Sequence, residues 1–218
     1  MHLRQDSFKH IGLRKRMIET IKSQGISNLS VLDALAKIPR HLFVDITLEE
    51  MAYQDKALPI GENQTISAPS MVALQTSLLN IEAGDKVLEV GTGSGYQAAV
   101  LITLGANLYS IERQKPLFTK TSALLKKLNY QGHFYFGDGF EGIPAEAPFD
   151  KIVLTAGAPS IPESLLNQLK VGGIMIAPIG VNNKMQIVKV LKDAPNHHQV
   201  EYLNNCVFVP MLSGVVDK

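Results

Sequence analysis

Residues 88–99 read LEVGTGSGYQAA, a short apolar run followed by a glycine-rich turn and a segment of helix-forming residues. Gly91, Gly93 and Gly95 let the backbone turn sharply, and they let a ligand approach it without a Cβ in the way. A strand, a glycine-rich turn and a helix in this order are typical of nucleotide-binding α/β proteins. The stretch therefore predicts an α/β fold with a ligand at the turn.

Short apolar segments alternate with segments of helical length after residue 85. The predicted strands are 86–90, 107–112, 133–138, 151–156 and 174–180, and the predicted helices are 94–104, 115–128 and 160–169. Strands that are apolar throughout indicate a parallel sheet with both faces covered. Two further strands are predicted over 185–193 and 200–212, joined by the polar turn APNHHQ. The pattern predicts a doubly wound, Rossmann-like fold with a mostly parallel sheet.

The first 80 residues predict an N-terminal helical segment. An apolar stripe indicates an amphipathic helix over about 8–23, and Ser30 and Pro39 mark the start and end of a second helix. Residues 52–79 predict a long loop followed by a helix from about 69, and long loops are usually functional. We expect helices and an active-site loop over 1–80 to pack on a core over 81–218, as one structural domain.

The composition narrows the class of protein. The 218 residues include 21 Lys or Arg and 20 Asp or Glu, which gives no support for a nucleic-acid partner. No apolar run reaches the length of a membrane span, about 18 residues, and no signal-peptide pattern is present. Cys206 is the one cysteine, so an internal disulfide is impossible. We expect a cytoplasmic monomer without a nucleic-acid or membrane partner.

Three acids fall near the carboxyl ends of the first three predicted strands. Glu89 precedes the glycine turn, Glu112 ends the second strand, and Asp138 follows the third. Glu112 lies about 20 residues past the turn, where an acid can accept hydrogen bonds from ribose hydroxyls. Asp138 is placed to accept from an adenine amine. Open α/β sheets bind ligands at this edge, so the acids predict a nucleoside site.

Two details favour S-adenosylmethionine over a dinucleotide. The dinucleotide pattern has a third glycine where this chain has Tyr96. Glu89 is a poor neighbour for a pyrophosphate, but it suits a ligand that carries an ammonium and a sulfonium.

On these motifs the chain resembles the protein-L-isoaspartate (D-aspartate) O-methyltransferase family from about residue 30 to 212. The resemblance rests on IPRHLFV (38–44), ALPIGENQTISAP (57–69), VLEVGTGSGYQAAVL (87–101), IER (111–113), GDG (137–139), APFDKIVLTAGAPSIPESLLNQL (147–169), GG with PIG (172–180) and VFVPM (207–211). It implies a class I S-adenosylmethionine-dependent methyltransferase that acts on the free α-carboxylate of L-isoaspartyl residues in damaged proteins and peptides. It also implies S-adenosyl-L-homocysteine as the product and no metal.

The resemblance further implies roles for individual residues. Ser67 is the implied catalytic residue, and Ser67, Val209, Pro210 and Met211 are the implied contacts of the substrate peptide. The implied cofactor contacts are Thr65, Ile66, Ser67, Glu89, Gly91, Gly93, Ser94, Gly95, Glu112, Gly137, Asp138, Gly139 and Thr155.

Other activities remain open at this stage. A methyltransferase acting on another carboxylate or small molecule would use the same cofactor, and an inactive relative would bind it without turnover. Amino-methylating enzymes are disfavoured because TAGAP (155–159) offers no amide or acid to the target amine. A metal site is not expected, since no two of the six histidines are spaced i, i+4.

Overall fold

The computed structural model describes residues 4–181 and 184–217. Its helices are α1 (Phe8–Ser23), α2 (Leu29–Lys37), α3 (Pro69–Leu79), α4 (Tyr96–Thr103), α5 (Lys115–Lys127) and α6 (Glu163–Gln168). Its strands are β1 (Leu58–Gly61), β2 (Gln64–Ile66), β3 (Lys86–Val90), β4 (Asn107–Glu112), β5 (His133–Phe136), β6 (Phe149–Leu154), β7 (Leu169–Val181), β8 (Lys184–Ala194) and β9 (His197–Cys206). Short 3-10 helices cover Arg40–Phe43, Ile46–Met51 and Pro144–Glu146.

Strands β3 to β9 form one sheet in the order β5-β4-β3-β6-β7-β8-β9. Pairing is parallel from β5 to β7 and antiparallel between β7, β8 and β9. The predicted Rossmann-like fold with a mostly parallel sheet is therefore confirmed. Strand β3 pairs with β4 on one side and with β6 on the other, so the chain reverses its winding direction there. Open α/β sheets bind ligands at the carboxyl end of such a switch point.

The central strands are buried on both faces. Val87 and Leu88 are consecutive in β3 but belong to different buried clusters, because successive side chains of a strand point to opposite faces. Ile21 of α1 and Leu35 of α2 are fully buried in the cluster that contains Val87. Burial of a side chain of this size stabilises the fold by about 1.5–3 kcal/mol. The N-terminal helices thus share one core with the sheet.

Helix α1 has the predicted bounds, but α2 begins earlier than expected. The side chain of Asn28, not that of Ser30, caps α2 by accepting a hydrogen bond from the Val31 N–H. Asn is at least as good an N-cap as Ser, and Ser30 lies inside the first turn.

The segment expected to be a loop contains an antiparallel hairpin of β1 and β2. Glu62 and Asn63 form its turn with φ angles of 51° and 55°. Left-handed residues at both central positions are what a tight hairpin requires. Glu-Asn is a rare pair for such a turn, which explains why the sequence pattern did not predict it. Helix α3 begins at Pro69, as predicted.

The last predicted strand, 200–212, is wrong in its second half. Strand β9 ends at Cys206, which is buried, and the chain then leaves the sheet. Val209 accepts a hydrogen bond from the Gly157 N–H, and the Met211 N–H donates to the Gly157 carbonyl. Pro210 lies between them and has no N–H that could donate a hydrogen bond to a neighbouring strand. The segment therefore lies beside the tip of β6.

Within the described ranges, no helix is long and apolar enough to cross a membrane.

Candidate active site

A cleft opens at the carboxyl ends of β3, β4 and β6. The space between its walls, including the part that is open to solvent, measures about 850 Å³. Its lining comes from β2 and the residues after it, the glycine turn, the ends of β4 and β6, and the segment before the C-terminus. The lining residues are Gln64, Thr65, Ile66, Ser67, Val72, Val90, Gly91, Thr92, Gly93, Ser94, Tyr96, Gln97, Ile111, Glu112, Arg113, Gly139, Thr155, Ala156, Val209, Pro210, Met211 and Leu212.

The glycine turn is held against the neighbouring strands. Gly91 has a φ of 99°, and a Cβ on it would stand 2.4 Å from Thr155 Oγ1. The Thr155 hydroxyl lies within 2.6 Å of the Gly91 carbonyl and 3.0 Å of the Val90 carbonyl. On the other side, the Thr121 hydroxyl donates to the Gly93 carbonyl at 2.6 Å. The turn thus requires glycine, and its carbonyls are bound from both flanks.

Glu112 is fixed at the edge of the cleft by two backbone groups. Its Oε2 accepts from the Gly93 N–H and its Oε1 from the Gln114 N–H, each at 2.9 Å. The side chain is nearly buried, yet it lines the cleft. Each carboxylate oxygen has a second lone pair, so Glu112 can accept further hydrogen bonds from a ligand in the cleft.

Glu89 lies beneath the turn instead of in the cleft wall. It is fully buried, and its Oε2 accepts from the Ser110 hydroxyl at 2.5 Å. Burial raises the pKa of the Glu89 carboxyl to about 8; the hydrogen bond from Ser110 opposes this, and the nearby charge of Glu112 adds to it. Thr92, whose hydroxyl lies 2.6 Å from that of Ser110, is one of the residues that line the cleft. Two hydroxyls therefore connect Glu89 to the cleft.

Asp138 binds the C-terminal segment. Its Oδ1 accepts from the Phe140 N–H at 2.8 Å, and its Oδ2 accepts from the Gly214 N–H. Arg113 donates to the carbonyls of Ser213 and Gly214. These contacts hold the segment across the end of β4, directly after the lining residues Met211 and Leu212.

The structure brings most of the predicted site residues together. The predicted residues that line the cleft are Thr65, Ile66, Ser67, Gly91, Gly93, Ser94, Glu112, Gly139, Thr155, Val209, Pro210 and Met211. Those that do not line it are Glu89, Gly95, Gly137 and Asp138. Gly95 lies at the start of α4, where a Cβ would stand 2.7 Å from Thr121 Cγ2, so the backbone packs closely against α5 there.

Several lining residues were not predicted from the sequence. Most of them, such as Thr92, Ile111 and Arg113, are chain neighbours of predicted residues, so a wider window around each motif would have found them. Val72 of α3 reaches the cleft only through tertiary packing, and nothing in the sequence around it indicates a position in the lining.

One group of possible metal ligands lies outside the cleft. Ligand atoms of Asp6, His10 and His41 lie within 4.8 Å of one another. The spacing of the histidines along the sequence did not indicate this group, because His10 and His41 belong to different helices. Arg14 binds both oxygens of Asp6, and the ring of His10 stacks on that of His41 at 3.8 Å. Burial lowers the pKa of His41 to about 4, and its Nδ1 lies 2.8 Å from the Tyr53 hydroxyl. The group belongs to a network of side-chain contacts that joins α1 to the 3-10 helix Arg40–Phe43.

Known proteins match the chain over nearly its whole length. The family model described as protein-L-isoaspartate(D-aspartate) O-methyltransferase matches residues 13–216. A protein-L-isoaspartate O-methyltransferase of Flavobacterium psychrophilum is 50% identical over 209 residues, which cover 95% of this chain and 98% of that one. A solved protein-L-isoaspartate O-methyltransferase has a TM-score of 0.84 at 27% identity, covering 93% of this chain and 67% of that one.

A second solved structure shows the same fold at lower identity. It is a Plasmodium falciparum protein in complex with S-adenosyl-L-homocysteine, with a TM-score of 0.78 at 24% identity, covering 91% of this chain and 98% of that one. The family match and the 50% identity agree with the cleft at the switch point of the sheet. The chain belongs to the protein-L-isoaspartate(D-aspartate) O-methyltransferase family.

Proposed function

We propose that this protein transfers the methyl group of S-adenosylmethionine to the free α-carboxylate of L-isoaspartyl residues in damaged proteins and peptides. It acts as a repair enzyme and releases S-adenosyl-L-homocysteine. Family membership supports this activity. The observation that carries it is a single cleft in which the glycine turn and Glu112 share the lining with Ser67 and residues 209–211.

The cofactor side of the cleft fits a nucleoside that carries a positive charge. The absence of side chains at Gly91 and Gly93 lets the backbone contact the ligand closely. Glu112 accepts from the ribose hydroxyls with the lone pairs that the two backbone N–H groups leave free. When bound, S-adenosylmethionine supplies a methyl group on a positively charged sulfur. Thr65, Ile66, Ser94, Gly139 and Thr155 complete this wall.

Glu89 acts less directly than its position in the sequence indicated, whereas Asp138 keeps the role that its position indicated. Glu89 affects the ligand through Ser110 and Thr92 and holds the turn from below. Asp138 accepts from the adenine amine with a carboxylate that also binds the C-terminal segment. Gly95 and Gly137 shape the backbone around these contacts.

The substrate side consists of Ser67 and the segment Val209–Met211. A carboxylate is ionised at neutral pH and already nucleophilic, so the reaction needs no strong general base. Ser67 donates a hydrogen bond that orients this carboxylate, and a hydroxyl weakens its nucleophilicity less than a lysine would. Holding the reacting atoms in line can lower the barrier by about 7–11 kcal/mol. Residues 209–211 lie extended beside Gly157 and guide the peptide to Ser67.

A labelling assay tests the proposal. The protein is incubated with S-adenosylmethionine labelled in its methyl group and with two peptides that differ only in an isoaspartyl or aspartyl residue. We expect base-labile label on the isoaspartyl peptide alone. Binding of the cofactor without transfer would indicate an inactive relative, and transfer to a small carboxylic acid but to neither peptide would indicate a different methyltransferase.

We further propose that the protein works in the cytoplasm as a monomer, with damaged proteins as its partners and without nucleic acid, membrane or metal. The balanced charge is consistent with this setting. Sedimentation velocity at micromolar concentration should give one species near the mass of the chain, 23.8 kDa. A dimer under these conditions would contradict the monomer.

A further inference from the structure

Arg40 is a buried cation outside the cleft lining. It begins the 3-10 helix Arg40–Phe43, and its side chain is fully buried. Among the described residues, no carboxylate lies within ion-pair distance of its guanidinium. Removing a charge from water is costly unless hydrogen bonds and nearby charges compensate. The contacts of the Arg40 guanidinium provide this compensation.

The guanidinium contacts three separate segments. Its Nε donates to the Ala52 carbonyl and its Nη2 to the Ser67 carbonyl, each at 2.7 Å. Its central carbon lies 4.6 Å from the centre of the Tyr96 ring. Such charge-assisted hydrogen bonds and cation–π contacts are stronger than neutral ones when they are buried. Arg40 thus holds the backbone of Ser67 in a fixed place.

The contact with Tyr96 joins the two sides of the cleft. Tyr96 is the first residue of α4, directly after the glycine turn, and it lines the cleft. Its hydroxyl and Nη1 of Arg40 are both buried without a hydrogen-bond partner of good geometry. Burial raises the pKa of the Tyr96 phenol to about 12, so the ring stays neutral beside the cation. One planar group therefore fixes Ser67 relative to the helix that follows the turn.

We propose that Arg40 is a positioning residue for methyl transfer, which sets the distance between Ser67 and the cofactor side of the cleft. The inference rests on the proposed function, because it assigns Arg40 a role through Ser67. The glycine turn is held independently by Thr155 and Thr121. Loss of Arg40 should therefore misplace the substrate side and leave the cofactor side nearly intact.

The main experiment compares Arg40→Met and Arg40→Lys with the unmodified protein. Turnover of an isoaspartyl peptide is measured at saturating S-adenosylmethionine, and S-adenosyl-L-homocysteine binding is measured by calorimetry. A misplacement of about 1 Å can cost about 100-fold in rate, so we expect kcat to fall about 10- to 100-fold. The Kd of the product should change less than about threefold, and Arg40→Lys should not restore kcat because an ammonium lacks the planar fork.

Lys192 provides a matched control. It is also nearly buried, and it donates to two backbone carbonyls, those of Leu166 and Leu169, but it does not line the cleft. Lys192→Met should lower the midpoint of thermal unfolding and leave kcat of the folded protein unchanged. Arg40→Ala adds a rescue test, since millimolar guanidinium ion should restore part of kcat there and none in Lys192→Met.

A second measurement does not depend on activity. Hydrogen exchange of residues 64–68 should be faster in Arg40→Met than in the unmodified protein, while that of 91–95 stays the same. If the unmodified protein does not methylate the isoaspartyl peptide, the proposed function fails, and exchange still tests the role of Arg40. If Arg40→Met does not fold, kcat, product affinity and exchange are measured on Arg40→Lys and Arg40→Ala instead. Unchanged exchange over 64–68, or an equal loss of kcat and product affinity, would overturn the inference.

Discussion

The two sides of the cleft are built in different ways. The cofactor side comes mainly from the ends of β3, β4 and β6, which are adjacent in the sheet and carry recognisable motifs. The substrate side comes from Ser67 and residues 209–211, which lie far apart in the chain. Backbone pairing with Gly157 and the guanidinium of Arg40 bring these segments into place. One side is encoded locally, and the other depends on tertiary contacts.

Because the two sides are built from different segments, we expect them to respond separately to mutation. A change in the glycine turn should weaken cofactor binding, and a change at Ser67 should slow transfer without affecting binding.

The largest effect is expected for Gly91→Ala. The new Cβ would lie 2.4 Å from Thr155 Oγ1. The φ of 99° at this position is also one that residues with a side chain rarely adopt. We expect product binding to weaken by about 3 kcal/mol or more, measured by calorimetry with S-adenosyl-L-homocysteine. Gly84→Ala is the control, because its φ of 92° is similar and nothing lies within 4 Å of its Cβ. A similar loss of affinity in both variants would contradict the role of the Thr155 contact.

Ser67→Ala tests the other side. We expect kcat on an isoaspartyl peptide to fall about 100-fold, as when one preorganised donor is removed from an active site. The affinity for S-adenosyl-L-homocysteine should stay near that of the unmodified protein. Ser77→Ala, which removes a buried hydroxyl without a hydrogen-bond partner, should leave kcat unchanged. Unaltered kinetics in Ser67→Ala would remove Ser67 from the mechanism.

Glu112→Ala should weaken cofactor binding by about 1.5–3 kcal/mol, because charge-assisted hydrogen bonds to the ribose are lost. The turn also loses the contact between Gly93 and Glu112. Asp150→Ala is the control, since Asp150 likewise accepts a backbone N–H, that of Lys86, but does not line the cleft. Calorimetry that shows equal affinities for Glu112→Ala and the unmodified protein would exclude Glu112 from the site.

The smallest effect on the cleft is expected for Glu89→Gln, since an amide resembles the neutral carboxyl that burial favours. The effect should appear in stability instead. The folded carboxyl holds its proton up to a pKa of about 8, whereas the unfolded one loses it near 4.5. The folded state then binds more protons between these values, so Glu89 destabilises the fold increasingly as pH rises from about 4.5 to 8.

Urea unfolding at several pH values measures this difference. The advantage in unfolding free energy of Glu89→Gln over the unmodified protein should grow between pH 5 and 8, by at most about 1.4 kcal/mol per pH unit. Above pH 8 it should level off. A constant difference across this range would show that Glu89 is ionised in the folded protein.

The sequence predicted the sheet and its edge well because these depend on local patterns. Apolar runs marked β3, β4 and β6, and acids and glycines marked the points where they end. The hairpin of β1 and β2 was missed because its turn, Glu62-Asn63, uses an unusual pair of residues. The end of β9 was placed too late, since apolar residues around Val209 continue past the point where the chain turns to the cleft.

Within the site, the sequence predicted which residues meet but not how each one is used. The position of Glu89 next to the turn suggested direct contact, yet alternation along β3 directs its side chain beneath the turn. Asp138 was predicted for the ligand, and its contact with Gly214 depends on a segment distant in the chain. Arg40 belongs to the motif IPRHLFV, but the sequence indicated no role for it, because its importance comes from three segments that only the fold brings together.

Cys206, buried at the end of β9, makes the chain convenient for site-specific labelling. Burial raises the pKa of its thiol to about 11, so very little thiolate is present at neutral pH. A cysteine introduced at Asn196, in the exposed turn between β8 and β9, would react with a maleimide dye far faster than this native thiol. No residue of β8 or β9 lines the cleft, so a fluorophore attached there would not obstruct it.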